Sequence, residues 1–240
     1  MRAFIDRYRH AYGVEPRFTQ VSEMLDQAEL DAVFVCLPPH HMFDVAAECL
    51  KRGIHLFTEK PPGVSAEQTR SLARMARASG SITMVGFNRR FMPCLVEAKR
   101  RVEERGPIRH CATSYYKHYT ADVPYYDGPA SMLMLDGIHA VDTLRWLGGD
   151  VASVESAVGA WRTGYPNSFR AIIRFESGCT GVLSADWAAG RRIQTVEVHS
   201  EAASAFVDID RSMLISADDS EEPAVDVRKV AGSDDFRIYY

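Results

Sequence analysis

The chain has 240 residues, 46% hydrophobic and 25% charged, enough for one large packed domain or two modest ones. Its formal net charge of −4 excludes the basic excess of a nucleic-acid binder. No apolar run approaches the length of a membrane span, and the charged start from Met1 to Tyr8 lacks the apolar core of a signal peptide. The five cysteines, Cys36, Cys49, Cys94, Cys111 and Cys179, are widely spaced without a C-x-x-C. They are expected to be mostly reduced, buried thiols of a cytoplasmic protein, with no structural zinc.

Residues 2–12 read as a helix with Phe4, Ile5, Tyr8 and Tyr12 on one side and Gly13 as its stop. Arg17–Thr19 is a short strand candidate, and Ser22 is placed to cap a helix over Glu23–Glu29. Asp31–Leu37 is a continuous apolar run with β-branched content, as in a strand buried on both faces of a parallel sheet. Pro38 and Pro39 end it. His40–Arg52 is helical and closes at Gly53. His55–Thr58 is the next strand. Ser65 and Gln68 form a capping box for a helix over Ala66–Ser79, Gly80 ends it, and Ile82–Phe87 is a third strand. Strands alternating with helices at this spacing predict a doubly wound parallel sheet.

After Asn88 the pattern changes. Pro93–Arg105 is a helix, Ile108–Tyr119 alternates loosely, and a long helix runs from about Ser131 to Leu147. Strands then follow over Val151–Arg162, Phe169–Phe175, Thr180–Trp187 and Gln194–His199, with shorter pairs to about Val230. Ser177-Gly178 is a hairpin turn signal, and Asp218–Glu222 reads as a solvated acidic loop. The predicted fold is α/β. A partial Rossmann-type sheet over residues 1–90 lacks its first βαβ unit, and an α+β domain over 91–240 carries a largely antiparallel open sheet. The boundary is expected near residues 88–106.

One stretch stands out. The run His55-Leu56-Phe57-Thr58 ends in Glu59, Lys60, Pro61 and Pro62. Proline gives no ladder donor, so Glu59 and Lys60 belong where a buried strand opens into a loop. Ligands of open parallel sheets bind outside the carboxyl ends of the strands. A dinucleotide-binding sheet ordinarily begins with a strand, a glycine-rich turn and a helix, and no G-x-G-x-x-G occurs in these 240 residues. Two readings follow: a chain lacking its first unit, which is favoured, or a degenerate protein that no longer binds a dinucleotide. The first predicts weak or no dinucleotide binding by the chain as it stands.

Three motifs occur in one order: Glu59-Lys60-Pro61 after a strand, Val85-Gly86-Phe87-Asn88-Arg89-Arg90-Phe91, and Gly137-Ile138-His139-Ala140-Val141-Asp142-Thr143-Leu144-Arg145-Trp146-Leu147. Together they resemble the Gfo/Idh/MocA oxidoreductases. The resemblance implies a nicotinamide-binding domain followed by an α+β domain whose open sheet builds homo-oligomers. The activity implied is NAD- or NADP-dependent hydride transfer at a carbinol of a sugar, inositol or related polyol. It implies cofactor contacts from Leu37, Pro38, His41, Glu59, Lys60 and Asn88. It also implies catalytic roles for Lys60 and His139, with Asp136 as a third member. Two positions depart from the family pattern. The acid commonly four residues before the histidine is Leu135 here, and Asp136 lies three before it. His41 stands one position ahead of Met42, where the family often has a histidine.

The chemistry suits those residue types. Oxidising a carbinol needs a group that accepts the hydroxyl proton and a cation that steadies the alkoxide. Lys60 can align the hydroxyl and the nicotinamide; the alternative is a surface lysine paired with Glu59. His139 is the expected general base, on a helix apolar nearly all round and therefore buried; the alternative is a hydrogen-bonded core histidine. Asp136 can orient the imidazole or contact the substrate. Asp142 is expected to pair with Arg145. No further ligand cluster supports a metal. Asn88 and Arg89 fit a cofactor or substrate contact and a domain-hinge network equally. Tyr115, Tyr116, Tyr119, Tyr125 and Tyr126 line either a polyol site or a core, and Trp161 and Trp187 are expected to pack the sheet. Expected partners are a small polyol or sugar and further copies of the chain, with no nucleic acid and no membrane. The alternative is a catalytically inactive, oligomerising protein.

Overall fold

The computed structural model describes Gly13 and residues 17–119 and 121–232, so the helix expected over 2–12 lies outside the described residues. The chain divides into two compact units after Gly86, slightly ahead of the region 88–106.

The first unit is built on three short parallel strands, β1 (Ala32–Val35), β2 (His55–Thr58) and β3 (Thr83–Val85), in the order β1-β2-β3. Helix α1 (Val21–Gln27) precedes them, α2 (Pro39–Lys51) joins β1 to β2, and α3 (Ala66–Ser79) joins β2 to β3. Parallel neighbours need such crossovers. Helix α2 buries Met42, Ala46, Ala47, Cys49 and Leu50, and these share one core with Val33, Val35 and Leu56. At the start of α3, Ser65 Oγ accepts from the Gln68 backbone N–H at 3.2 Å. The Gln68 side chain accepts from the Val64 N–H at 2.8 Å, one residue ahead of the cap, so the capping box is only half of the expected form. Gly80 closes the helix at φ +69°, as a C-terminal glycine does.

Three expectations for this unit need correction. Arg17–Thr19 is irregular rather than a strand. Helix α1 starts at Val21 after Gln20, with no side-chain cap, so Ser22 lies inside it. β1 is buried on one face only. Val33 and Val35 point into the core, while Phe34 is 73% exposed, 5.1 Å from the Phe57 ring. The continuous apolar run hid this alternation because both faces carry hydrophobic side chains.

The second unit opens with a 3₁₀ turn (Asn88–Phe91) and helix α4 (Pro93–Glu103). Strand β4 (His110–His118) follows, then a 3₁₀ turn (Tyr125–Asp127), a π-helical turn (Leu133–Gly137) and helix α5 (Ile138–Gly148). Six strands come next: β5 (Val151–Gly159), β6 (Ser168–Phe175), β7 (Thr180–Asp186), β8 (Ala188–His199), β9 (Ala203–Asp208) and β10 (Ser212–Ala217). Two-residue strands β11 (Ser220–Glu221) and β12 (Val225–Asp226) and helix α6 (Val227–Ala231) are the last elements among the described residues. The sheet runs β11-β10-β9-β8-β4-β7-β6-β5, with β12 also on β10. Pairing is antiparallel except between β4 and β7. Gly178 makes the β6–β7 turn at φ +85°. Helix α4 packs on β8, β9 and β10 and helix α5 on β4 and β7. The core holds Leu95, Val102, Leu144, Phe175, Trp187, Val198 and Val207.

Here too the structure departs from expectation. The helix expected over 131–147 begins as a π turn, and the last element among the described residues is a helix instead of a strand pair. Trp187 is fully buried, but Trp161 is 63% exposed and does not pack the core. The acidic stretch, by contrast, is exposed as expected and carries two surface ion pairs, Asp218 with Arg105 at 2.8 Å and Glu222 with Arg101. No helix among the described residues is long and apolar enough to cross a membrane.

Candidate functional site

In the first unit the parallel ladder continues one step beyond β2. The Glu59 N–H donates to the Val35 carbonyl at 2.9 Å and the Gly86 N–H to the Thr58 carbonyl at 2.8 Å. Glu59 and Lys60 therefore leave the carboxyl end of the central strand. The Lys60 N–H donates to Glu59 Oε2 at 3.1 Å, and the Lys60–Pro61 peptide is cis. Lys60 is half-buried and Glu59 exposed. Beside them β1 ends in Cys36, Leu37 and Pro38. Leu37 is 37% exposed, and Pro38 caps α2 without any side-chain hydrogen bond. Burial, and then the Glu59 charge, push the Cys36 thiol up. His41 lies on the exposed side of α2 with its ring 4.1 Å from that of His40. Met42 is fully buried, so the one-residue offset separates a solvent-facing imidazole from a core thioether.

The second unit places Asp136 and His139 on consecutive turns facing the sheet. Both are 8% exposed. Both oxygens of Asp136 are engaged: Oδ1 accepts from the Tyr115 hydroxyl at 2.7 Å, and Oδ2 accepts from Trp187 Nε1 at 3.0 Å and lies 2.7 Å from Lys117 Nζ. Burial alone raises the pKa of a carboxylate. Here the Lys117 ammonium and these hydrogen bonds outweigh it and hold the carboxyl below its ordinary value. In return, burial and the Asp136 charge push the Tyr115 and Tyr125 hydroxyls upward.

His139 lines a small cavity of ≈ 10 Å³ with Arg89, Thr113, Tyr115, Thr143 and Gln194, about the size that admits one water molecule. Its carbonyl accepts from the Thr143 hydroxyl at 2.8 Å. Arg89 is 3% exposed; it donates to Gln194 Oε1 at 3.1 Å and to Asn88 Oδ1 at 3.0 Å. Arg89 thus points into the core of its own unit. Asp142 pairs with Arg90 rather than Arg145, which pairs with Asp150. Among the described residues no group of three or more acidic, histidine or cysteine side chains is arranged to hold a metal.

Sequence reasoning missed Lys117, Arg90 and Gln194. Lys117 was legible as an i+2 partner of Tyr115 on one face of β4. Arg90 and Gln194 pair across 52 and 105 residues, and no local pattern signals that. Of the tyrosines, Tyr115 is core, Tyr119 and Tyr125 meet edge to face at 4.5 Å, Tyr116 bonds Ser184 and Tyr126 is 57% exposed.

Residues 2–87 match the family model described as an oxidoreductase family with an NAD-binding Rossmann fold, and residues 96–206 match the model of the GFO/IDH/MocA C-terminal domain. The scyllo-inositol 2-dehydrogenase (NAD(+)) of Bacillus subtilis (strain 168) is 29% identical over 192 residues, 72% of this chain and 53% of that protein. The inositol 2-dehydrogenase of Rhizobium meliloti (strain 1021) is 25% identical over 217 residues, covering 85% of this chain and 64% of the relative. Among solved structures, a levoglucosan dehydrogenase in complex with NADH and levoglucosan superposes with a TM-score of 0.83 at 20% identity, over 92% of this chain and 67% of that one. A dehydrogenase from Chromobacterium violaceum gives 0.80 at 24% identity, over 88% and 63%. These two likenesses establish the fold. The chain spans about half the length of the curated relatives it matches.

Proposed function

This chain belongs to the Gfo/Idh/MocA oxidoreductase family, and from that premise we propose that it is an NAD- or NADP-dependent dehydrogenase acting at a carbinol of an inositol, a sugar or a related polyol. The observation that carries this reading is Glu59-Lys60 at the open carboxyl end of β2, the central strand of a parallel sheet, where such folds bind their ligands. The residues present fit the nicotinamide side of a dinucleotide. An exposed apolar Leu37, the uncapped start of α2 at Pro38 and the exposed Glu59 carboxylate lie at adjacent strand ends, with His41 on the same helix. The relatives named for inositol 2-dehydrogenation and the neighbour holding NADH and levoglucosan support the substrate class.

A bound nicotinamide would accept the hydride. In this reading Lys60 Nζ donates to the carbinol oxygen and steadies its developing negative charge. A ring nitrogen of His139 accepts the hydroxyl proton. Asn88 contributes to cofactor binding. Asp136, committed to Tyr115, Trp187 and Lys117, acts through those partners. The outer face of the second unit's sheet, with Ile172 47% and Phe206 40% exposed, supports association of copies through it, and light scattering on the purified chain tests that. The reduced-thiol composition supports a cytoplasmic location.

Fluorescence titration with NADH and NADPH, combined with polyol-dependent reduction of NAD+ or NADP+, tests the activity. The reading expects one cofactor to bind and one polyol to be oxidised. Lys60→Met and His139→Asn should each lower turnover by at least about a hundredfold. Because weak binding is expected, the titrations extend to high cofactor concentration, and a folded chain that turns over no polyol with either cofactor there overturns the reading. Tight binding would instead overturn the expectation of weak binding drawn from the missing glycine-rich turn.

A further inference from the structure

We infer that Lys117, anchored by Asp136, is a substrate-contacting residue that donates hydrogen bonds to the ring hydroxyls of a polyol lying against Tyr125. This rests on the dehydrogenase reading above and adds a recognition group to it. Lys117 lies near the carboxyl end of β4, where the ladder with β8 breaks register. Tyr116 pairs with Ile193, but His118 pairs with Ala188. Such irregularities re-aim a side chain and are frequent beside functional sites. Here the side chain turns toward the π turn, itself a feature common at functional sites. The ammonium lies 2.7 Å from Asp136 Oδ2, 5.5 Å from the centre of the Tyr115 ring and 5.9 Å from that of Tyr125.

The ammonium has three N–H donors. Asp136 is its one acceptor among the described residues, which leaves two donors uncommitted. The Lys117 side chain remains 24% exposed, against 12% for Asp136, so the lysine keeps access to solvent that the acid has largely lost. With its charge matched by Asp136, Lys117 offers directional donors more than net charge, which suits hydroxyl oxygens. The half-buried Tyr125, braced edge-on by Tyr119 at 4.5 Å, supplies an apolar ring beside them. A saturated ring bearing hydroxyls has both kinds of surface. Asp136 is then the positioning residue. Tyr115, Trp187 and the carboxylate fix the lysine's direction, which answers why a buried acid occurs here three residues before His139.

Saturation-transfer NMR of the 240-residue protein with myo-inositol, scyllo-inositol and levoglucosan as probes tests this. The expected result is transfer to at least one probe, with affinity lowered about tenfold or more in Lys117→Met and largely kept in Lys117→Arg. Because Lys117→Met strands a buried carboxylate, the double variant Lys117→Met/Asp136→Asn is measured beside it, with circular dichroism confirming its fold. Undiminished probe binding by the folded double variant overturns the assignment, and so does a folded wild-type protein that binds none of the probes. Parallel NADH titration separates the two readings. NADH binding without polyol binding removes Lys117's role and leaves the oxidoreductase. Polyol binding that depends on Lys117, without turnover of any polyol by either cofactor, does the reverse.

Discussion

Arg90 holds Asp142 through two parallel hydrogen bonds, Nε to Oδ2 at 2.8 Å and Nη2 to Oδ1 at 2.7 Å. The pair ties the 3₁₀ turn at the start of the second unit to helix α5. Asp142 is 8% exposed, while the Arg90 side chain is 36% exposed. Removing the arginine leaves a buried carboxylate unmatched, although water reaches the arginine side and softens the loss. Arg90→Ala should therefore cost about 1–3 kcal/mol. Arg90→Lys should cost part of that, because an ammonium cannot make the two-pronged contact. Urea unfolding midpoints measure both; an Arg90→Ala midpoint equal to wild type removes the pair from the stabilising contacts.

Asp136 carries a pH signature. Its folded-state pKa lies below the ordinary value despite burial, because Lys117, Tyr115 and Trp187 all favour the carboxylate. Folding therefore favours the deprotonated form. The stabilisation is complete above the unfolded-state pKa of about 3.9 and is lost as pH falls through that value and the lower folded one. The acid limb of the stability curve should be shallower in Asp136→Asn than in wild type. Thermal melts from neutral pH to below about pH 4 check this, and parallel limbs in the two proteins would falsify it.

Gly137 is tested by one added methyl group. A Cβ there would lie 2.9 Å from Trp187 Cη2 and 2.9 Å from Leu133 Cδ1. Trp187 is fully buried and meets Phe169 edge to face at 5.9 Å, so it has no room to retreat. Gly137→Ala should destabilise by about 1–3 kcal/mol and alter the aromatic circular dichroism, because the shift falls on the tryptophan that donates to Asp136. Wild-type melting and an unchanged aromatic spectrum would show that the ring gives way freely.

The legibility of this chain follows the range of its signals. His55–Thr58 and Ala66–Ser79 have local markers, an apolar run ending at prolines and a serine cap closed by glycine, and both bounds agree with the structure. Expecting β1 buried on both faces failed because hydrophobicity alone does not say whether the face carrying Phe34 is covered. The π turn at Leu133–Gly137 was invisible for a different reason. Its apolar residues fit an ordinary helix, and nothing in their order marks where the backbone widens. The site followed the same division. Lys60, His139 and Asp136 stood out by residue type and motif, whereas Arg89 joins Gln194 across 105 positions, a pairing that only the folded sheet creates.

The cysteines provide a test of burial in both units at once. Cys111 and Cys179 bring their sulfurs to 3.9 Å, nearly twice a disulfide bond length of about 2.0 Å. Both thiols are buried, as are Cys49 and Cys94, while Cys36 is exposed. Burial pushes the Cys94 thiol up to about 11, and Cys36 is raised as well. Since the thiolate is the reactive form, an aromatic disulfide reagent at neutral pH should titrate Cys36 slowly and the other four only after denaturation. Cys36→Ser should abolish the native-state reaction and leave the denatured count one lower. Rapid reaction of several thiols in the folded protein would mean that the core around β4 and β7 opens far more readily than its packing implies.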